Sequence, residues 1–149
     1  MRFEMVDCDN EDLIDLCHKL EDFQYDLMPV LMEQGYNLTE DLDEVEGFVL
    51  YDENKPIGSI GLRKVSEDTC EIVRVFVDES QRGKGLSKLL FNKIVDYAKS
   101  KGFKKAEMVA WEKAEAAIAL YKKLGFNCSE PLVSEWFGGL KYFEFFKEL

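Results

Sequence analysis

No apolar run in this chain approaches the length of a membrane span, and residues 1–16 are acidic where a secretory leader would be apolar. The expectation is a cytoplasmic protein with no membrane partner. The cysteines Cys8, Cys17, Cys70 and Cys128 contain no C-x-x-C pair, so neither zinc nor a disulfide framework is suggested. Buried free thiols are the simpler reading. Histidine is nearly missing. His18 stands alone inside a helical pattern and reads as a surface or packing residue, which argues against a histidine base. Basic residues are scarce early in the chain. Residues 1–54 hold 17 Asp and Glu against 2 Lys and Arg, whereas residues 55–149 hold 13 against 17. A net charge of −11 leaves no broad cationic footprint for a phosphate backbone, so nucleic acid is not expected as a partner. The division does suit an anionic ligand in the later half; the acidic half suits a cationic one, or is simply a solvated face.

What is present fits one domain over residues 1–149. The chain has 149 residues, 46% of them hydrophobic, enough for a proper core, and no linker, repeat or low-complexity stretch. Alternation predicts a strand over Arg2–Asp7. Asn10 can cap a helix whose apolar residues Leu13, Ile14, Leu16, Cys17 and Leu20 recur at helical spacing to about Asp22. A less regular helix or loop follows from Gln24 to Gln34, with Met28-Pro29 as a break. Gly47–Tyr51 and Ile57–Val65 read as a hairpin around Asp52–Lys55, and Thr69–Val77 as a third strand. A helix over Leu86–Lys101, a strand over Lys104–Ala110 and a helix over Ala114–Leu124 come next. Gly125 closes the last helix, and strands over Phe126–Cys128 and Leu140–Phe146 end the chain. The fold class is therefore α/β (α+β): a mixed sheet, antiparallel at its N-terminal part, with a βαβα C-terminal half. The final strand, Tyr142-Phe143-Glu144-Phe145-Phe146, is apolar on both faces, which points to cover on both sides and leaves a homodimer open.

The most informative stretch is V-R-V-F-V-D-E-S-Q-R-G-K-G-L-S, from Val73 to Ser87. A β-branched run stops at Arg82-Gly83-Lys84-Gly85, and an amphipathic helix begins at once. Glycines let backbone N–H groups approach phosphate oxygens, and the free N–H groups and dipole of a helix start favour negative charge. A ligand carrying a diphosphate is expected there. Taken with the helix L-S-K-L-L-F-N-K-I-V-D-Y-A-K-S-K-G-F and with A-I-A-L-Y-K-K-L-G-F at Ala117–Phe126, the stretch from Glu71 to Phe126 resembles the core of the GCN5-related N-acetyltransferase superfamily. The resemblance covers roughly the C-terminal two thirds. Residues 1–45 match the family's variable, acceptor-side part only in their helical pattern, and residues 46–149 would form the acetyl-CoA-binding core.

The resemblance implies acetyl-CoA as donor substrate, an amine as acceptor and no metal. Arg82, Gly83, Lys84, Gly85, Leu86 and Ser87 match the family's pyrophosphate turn, with Ser87 where Gly or Ala is usual. The strand residues Val75, Phe76 and Val77 match the stretch whose backbone pairs with the pantetheine arm, beside a gap where that strand splays from the next. Tyr121 matches the general acid at the leaving sulfur. An alkylammonium ion must lose a proton before it attacks a thioester, and Glu71 is the candidate base. Strict alternation would place Glu71 on one strand face with Val73, Val75 and Val77. One departure is Ala114, where many members carry Asn. Lys84, Lys88, Lys122 and Lys123 are candidates for the 3′-phosphate.

For the acceptor, Phe23, Tyr25, Met28, Tyr36, Trp111, Trp136 and Phe137 are candidate wall residues. The acids Asp22, Asp26, Glu33, Glu40, Asp41, Asp43 and Glu44 would attract a polyamine, an aminoglycoside-like polycation or a Lys-containing peptide. A small amine with a single charge remains equally open. The expectation is a direct-attack N-acetyltransferase working through a ternary complex. The rival reading is a non-catalytic acyl-CoA-binding or sensing domain. A dinucleotide site is disfavoured because Gly83-Lys84-Gly85-Leu86-Ser87-Lys88 has no third glycine.

Overall fold

Asn10 starts the first helix as its residue type suggests. The computed structural model describes residues 1–149, and in it the Asn10 side chain accepts a hydrogen bond from the Leu13 N–H at 2.9 Å. That satisfies one of the free donors at the start of α1 (Glu11–Leu27). The helix continues past Asp22 and ends where Pro29 opens the short α2 (Pro29–Glu33).

The strands β1 (Arg2–Val6), β2 (Val45–Asp52), β3 (Lys55–Lys64) and β4 (Thr69–Val77) form an antiparallel run. Helix α3 (Leu86–Ser100) then crosses to β5 (Lys105–Trp111), which lies parallel to β4. Beyond α4 (Glu115–Lys123) come β6 (Asn127–Cys128), β7 (Leu132–Val133) and β8 (Lys141–Glu148). The sheet order is β1-β2-β3-β4-β5-β8-β6, with β7 also on β8. This is the expected mixed α/β sheet; β4 with β5 is its one parallel pair. Every long element stands within a few residues of its expected place. β7 was not expected, since Leu132 and Val133 are too few to show a period.

Apolar side chains fill both faces of the sheet. On one side, the α3 stripe Leu86, Leu90, Phe91, Ile94 and Ala98 packs with Ile57, Ile60, Leu62, Met108 and Phe145. On the other, Leu13, Leu16 and Cys17 of α1 cover Val45, Val49, Val73 and Phe76. The closure of α4 follows the glycine expectation: Gly125 has φ +90°, the Gly125 N–H donates to the Lys122 carbonyl and the Phe126 N–H to the Tyr121 carbonyl.

Within the chain, β8 buries Phe145 and packs Phe143 against the larger core, while Phe146 is exposed. One expectation fails here, for a backbone reason. Strict alternation along β4 breaks. Its register against β3 passes from Gly61↔Val73 to Ser59↔Phe76, so one extra residue bulges from β4, and Arg74 sits there at φ +58°. Glu71 and Val73 therefore share a face with Phe76, on the α1 side. Val75 and Val77 turn to the opposite face, against the larger core.

Candidate functional site

β4 and β5 are paired only from Thr69–Glu71 against Lys105–Glu107 and then part. The wedge between Val73–Val77 and Met108–Trp111 opens into the large cavity of the molecule, of about 1160 Å³. Pockets for one drug-sized ligand run to roughly 300–1,000 Å³, so this one has room for two reactants side by side.

One end of the cavity is the glycine turn. Gly83 and Gly85 have φ of +82° and +76°, and a Cβ at either would meet nothing within 4 Å. Gly85 precedes α3 in the N-cap position with no side-chain cap, so the helix presents its first N–H groups unblocked. Arg82, Gly83, Gly85, Leu86, Ser87 and Lys88 line the wall here. The Arg82 guanidinium lies 5.0 Å above the Phe23 ring and 5.8 Å from that of Phe76, and its Nε donates to the Val77 carbonyl at 3.3 Å. The turn is thus fastened to α1 and to the end of β4. Lys84 is outside the wall, its Nζ donating to Oε1 of the wall residue Gln81 at 3.0 Å. Of the lysines proposed for a phosphate, Lys88 and Lys123 reach the wall, whereas Lys84 and Lys122 do not.

Midway along stands Tyr121, only 8% exposed. Its ring is edge-on to Phe91 at 5.6 Å and to Phe145 at 5.3 Å. Its side chain lines the cavity, and its hydroxyl has no hydrogen-bond partner within the chain. Burial pushes this phenol up to about 12 from 10.0, so it stays protonated throughout the physiological range. Ala114 precedes α4 in the same wall without a side-chain cap.

At the far end, Glu71 reaches the cavity with its carboxylate paired to Arg63 Nη2, the two residues facing each other across β3 and β4. Arg63 Nη1 also lies 3.8 Å from Asp41. The cavity wall also carries an aromatic corner. Tyr36, Trp111 and Phe137 meet pairwise edge-on at 6.0, 5.4 and 5.9 Å, and Tyr142 stands 6.0 Å from Trp111. Most of the expected wall residues line the cavity: Met28, Tyr36, Trp111, Trp136 and Phe137, with Phe23 at the glycine turn. Tyr25 does not; its hydroxyl instead donates to the Tyr36 carbonyl.

Several residues of this end escaped the sequence. Glu21 is buried, and its Oε2 accepts from the Leu38 N–H at 2.7 Å while Oε1 meets His18 Nδ1 at 2.9 Å. Arg74 donates from Nε to the Leu38 carbonyl at 2.8 Å and from Nη2 to that of Glu40 at 3.1 Å. Together they fix residues 36–40 against α1 and the bulge. Tyr142, Gln24 and Arg63 also line the wall. A buried Glu is the kind of signal that marks such a latch, but its partner is a backbone N–H, which no side-chain pattern reveals. His18 is a surface residue, as expected, and the cysteines are free, with Cys17 and Cys70 buried and pushed up to about 11.

Residues 12–126 match the acetyltransferase (GNAT) family. The chain belongs to that family. An uncharacterized N-acetyltransferase of Methanocaldococcus jannaschii is 36% identical over 104 residues, 70% of this chain and 43% of that protein. The chain spans less than half the length of the curated relatives it matches. Among solved structures, a GNAT family acetyltransferase from Elizabethkingia anophelis with acetyl-CoA bound superposes with a TM-score of 0.73 at 20% identity, covering 99% of this chain and 97% of that one. An IAA acetyltransferase from Bacillus cereus gives 0.71 at 20% identity, covering 99% of both chains. At these identities the likeness is one of GNAT fold. No helix of this GNAT protein is long and apolar enough to cross a membrane.

Proposed function

We propose that the protein moves the acetyl group of acetyl-CoA to a primary amine by direct attack in a ternary complex. The observation that carries this reading is the joining of three features in one cavity: the open glycine turn, the parted strands, and a buried phenol with a free hydroxyl between them. The backbone of Arg82–Ser87 holds the diphosphate, with Lys88 and Lys123 beside it. Val75, Phe76 and Val77 offer their backbone to the pantetheine arm past the bulge, where β5 no longer pairs with β4. Acetyl-CoA bound to the Elizabethkingia anophelis relative supports the donor.

The acceptor enters from the aromatic corner. Glu71, held in place by Arg63, takes a proton from the ammonium ion, directly or through water. The free amine attacks the thioester carbonyl carbon, the C–S bond breaks with loss of a second proton from the nitrogen, and the sulfur leaves as thiolate. Tyr121 meets that thiolate. A phenol near 12 gives up its proton to a thiolate whose thiol titrates near 8.5 only at a cost of roughly 5 kcal/mol. Its role is therefore to donate a hydrogen bond to the developing negative charge, with the final proton coming from the pool released by the ammonium ion. Nothing in this scheme needs a covalent enzyme intermediate.

Thiol release from acetyl-CoA, paired with calorimetric acetyl-CoA binding, tests it. Tyr121→Phe should lower kcat by about 10²-fold, with acetyl-CoA affinity nearly unchanged. Turnover that is indifferent to Tyr121→Phe would remove the phenol from the chemistry. Binding without turnover on any amine would favour a sensing domain. Undiminished acetyl-CoA affinity in Gly85→Glu would overturn the assignment of the turn.

A further inference from the structure

The acceptor end of the cavity has little free negative charge. Of the acids clustered in the early sequence, Glu40 and Asp41 reach its wall. Asp22 and Asp26 face an adjoining depression with Lys19, Asp78 and Glu79, which shares Phe23, Leu27, Phe76 and Arg82 with the cavity, and Glu33, Asp43 and Glu44 line neither. Asp41 and Glu71 share the guanidinium of Arg63, and Arg74 is a second cation in the same wall. Glu40 and Glu135 are left, both exposed. A polyamine or an aminoglycoside would meet two guanidinium groups for these two solvated carboxylates.

What the cavity does supply is aromatic surface and one unanswered hydrogen bond. Tyr36, Trp111 and Phe137 form a corner in which each ring presents its edge or face to the others, a surface suited to an apolar body that carries a single cation. Gln24 Oε1 is a buried side-chain oxygen with no partner, and Gln24 lines the cavity. Its place along the cavity follows from its helix. The same turn of α1 carries Glu21 and Tyr25, which bond the Leu38 N–H and the Tyr36 carbonyl. The same turn also carries Phe23, whose ring lies 5.0 Å from the Arg82 guanidinium, so Gln24 stands between the glycine turn and the segment of Tyr36 and Leu38. A buried acceptor left unpaired is costly, and a donor brought by a bound molecule recovers that cost.

We propose that the acceptor is a primary amine carrying one charge on an aromatic or apolar body, its ring lodged against Tyr36, Trp111 and Phe137 and its N–H donating to Gln24 Oε1. This rests on the transferase reading above. Gln24 is then a positioning residue for the amine and has no part in holding acetyl-CoA.

The experiment compares phenethylamine and tryptamine with spermidine and kanamycin in the thiol-release assay at saturating acetyl-CoA. The aromatic monoamines should show the higher kcat/KM. In Gln24→Met the KM for phenethylamine should rise about tenfold, the loss of one hydrogen bond, while acetyl-CoA affinity by calorimetry stays unchanged and the free protein's Tm rises. A purely structural Gln24 would move stability without moving KM. Binding is read separately through fluorescence. The chain has 2 tryptophans, and in Trp136→Phe the remaining Trp111 should respond saturably to phenethylamine on the CoA-loaded protein, and not to spermidine. A preference for spermidine or kanamycin would overturn this inference and leave the transferase intact. So would weakened acetyl-CoA binding in Gln24→Met, or a Trp111 signal and a turnover both silent to the aromatic amines. Loss of acetyl-CoA binding by the unaltered protein would strike the transferase reading itself.

Discussion

At the scale of single residues, the site is governed by where charge is kept and where it is refused. Tyr121 lies in an apolar setting of Phe91 and Phe145, and that setting keeps its proton on. The Glu71–Arg63 pair is different. With side chains 21% and 30% exposed, it contributes to stability only on the order of 0–1 kcal/mol, so its value lies in holding a carboxylate at the cavity. The phenols also set a limit in alkali. Tyr51, Tyr97 and Tyr121 are all pushed up to about 12 from 10.0, with burial the leading cause in each. Because the unfolded chain loses these protons first, their contribution is complete below about pH 10 and is lost as pH rises towards 12. Thermal unfolding followed from pH 9 to 12 should show Tm falling across that window, and falling less in Tyr121→Phe.

At the scale of elements, the bulge in β4 decides more than its single residue suggests. It reverses which face Val75 and Val77 occupy, and it aims the Arg74 side chain at the carbonyls of Leu38 and Glu40. A non-glycine residue at φ +58° costs of order 1–3 kcal/mol, which the rest of the fold must offset. Arg74→Gly relieves that strain but frees residues 36–40, so its Tm should stay close to that of the unaltered protein while the KM for the amine rises. Arg74→Val puts a β-branched residue in the same conformation and should destabilise by a further ~1–3 kcal/mol in denaturant unfolding. If both variants unfold alike, the backbone at position 74 is not strained. The turn before α3 works the other way. There the positive φ falls on Gly83 and Gly85, where it is cheap, and the space beside them is open for a ligand.

Across the whole molecule, the cavity joins parts far separated in sequence. α1 and the segment after α2 bring one wall, β4 with α3 the turn, and β5, α4 and β8 the opposite side. A ligand that spans these parts binds only the folded chain. Acetyl-CoA at about 100 times its Kd should therefore add about 2.7 kcal/mol and raise Tm by roughly 5–10 °C, read in a thermal-shift assay. A shift absent at that concentration, with binding confirmed by calorimetry, would mean that the donor also binds the unfolded chain.

Much of this was legible before the structure, and for local reasons. Period and capping placed nearly every long element, because Asn10, Gly85 and Gly125 act on the backbone beside them. The glycine turn was visible for the same reason, whereas Tyr121 stood out only through the family resemblance, since a tyrosine on an apolar helix stripe reads by itself as core. The acceptor end was not. The acids of residues 22–44 look like one cluster in the sequence, yet helix and loop geometry sends Asp22 and Asp26 to one surface and Glu40 and Asp41 to another. The bulge at Arg74 was hidden because nothing about an arginine predicts positive φ. Residue type and spacing are enough to determine helices, strands and a glycine turn. Which side chains share a cavity wall depends on how distant backbones meet, and that only packing decides.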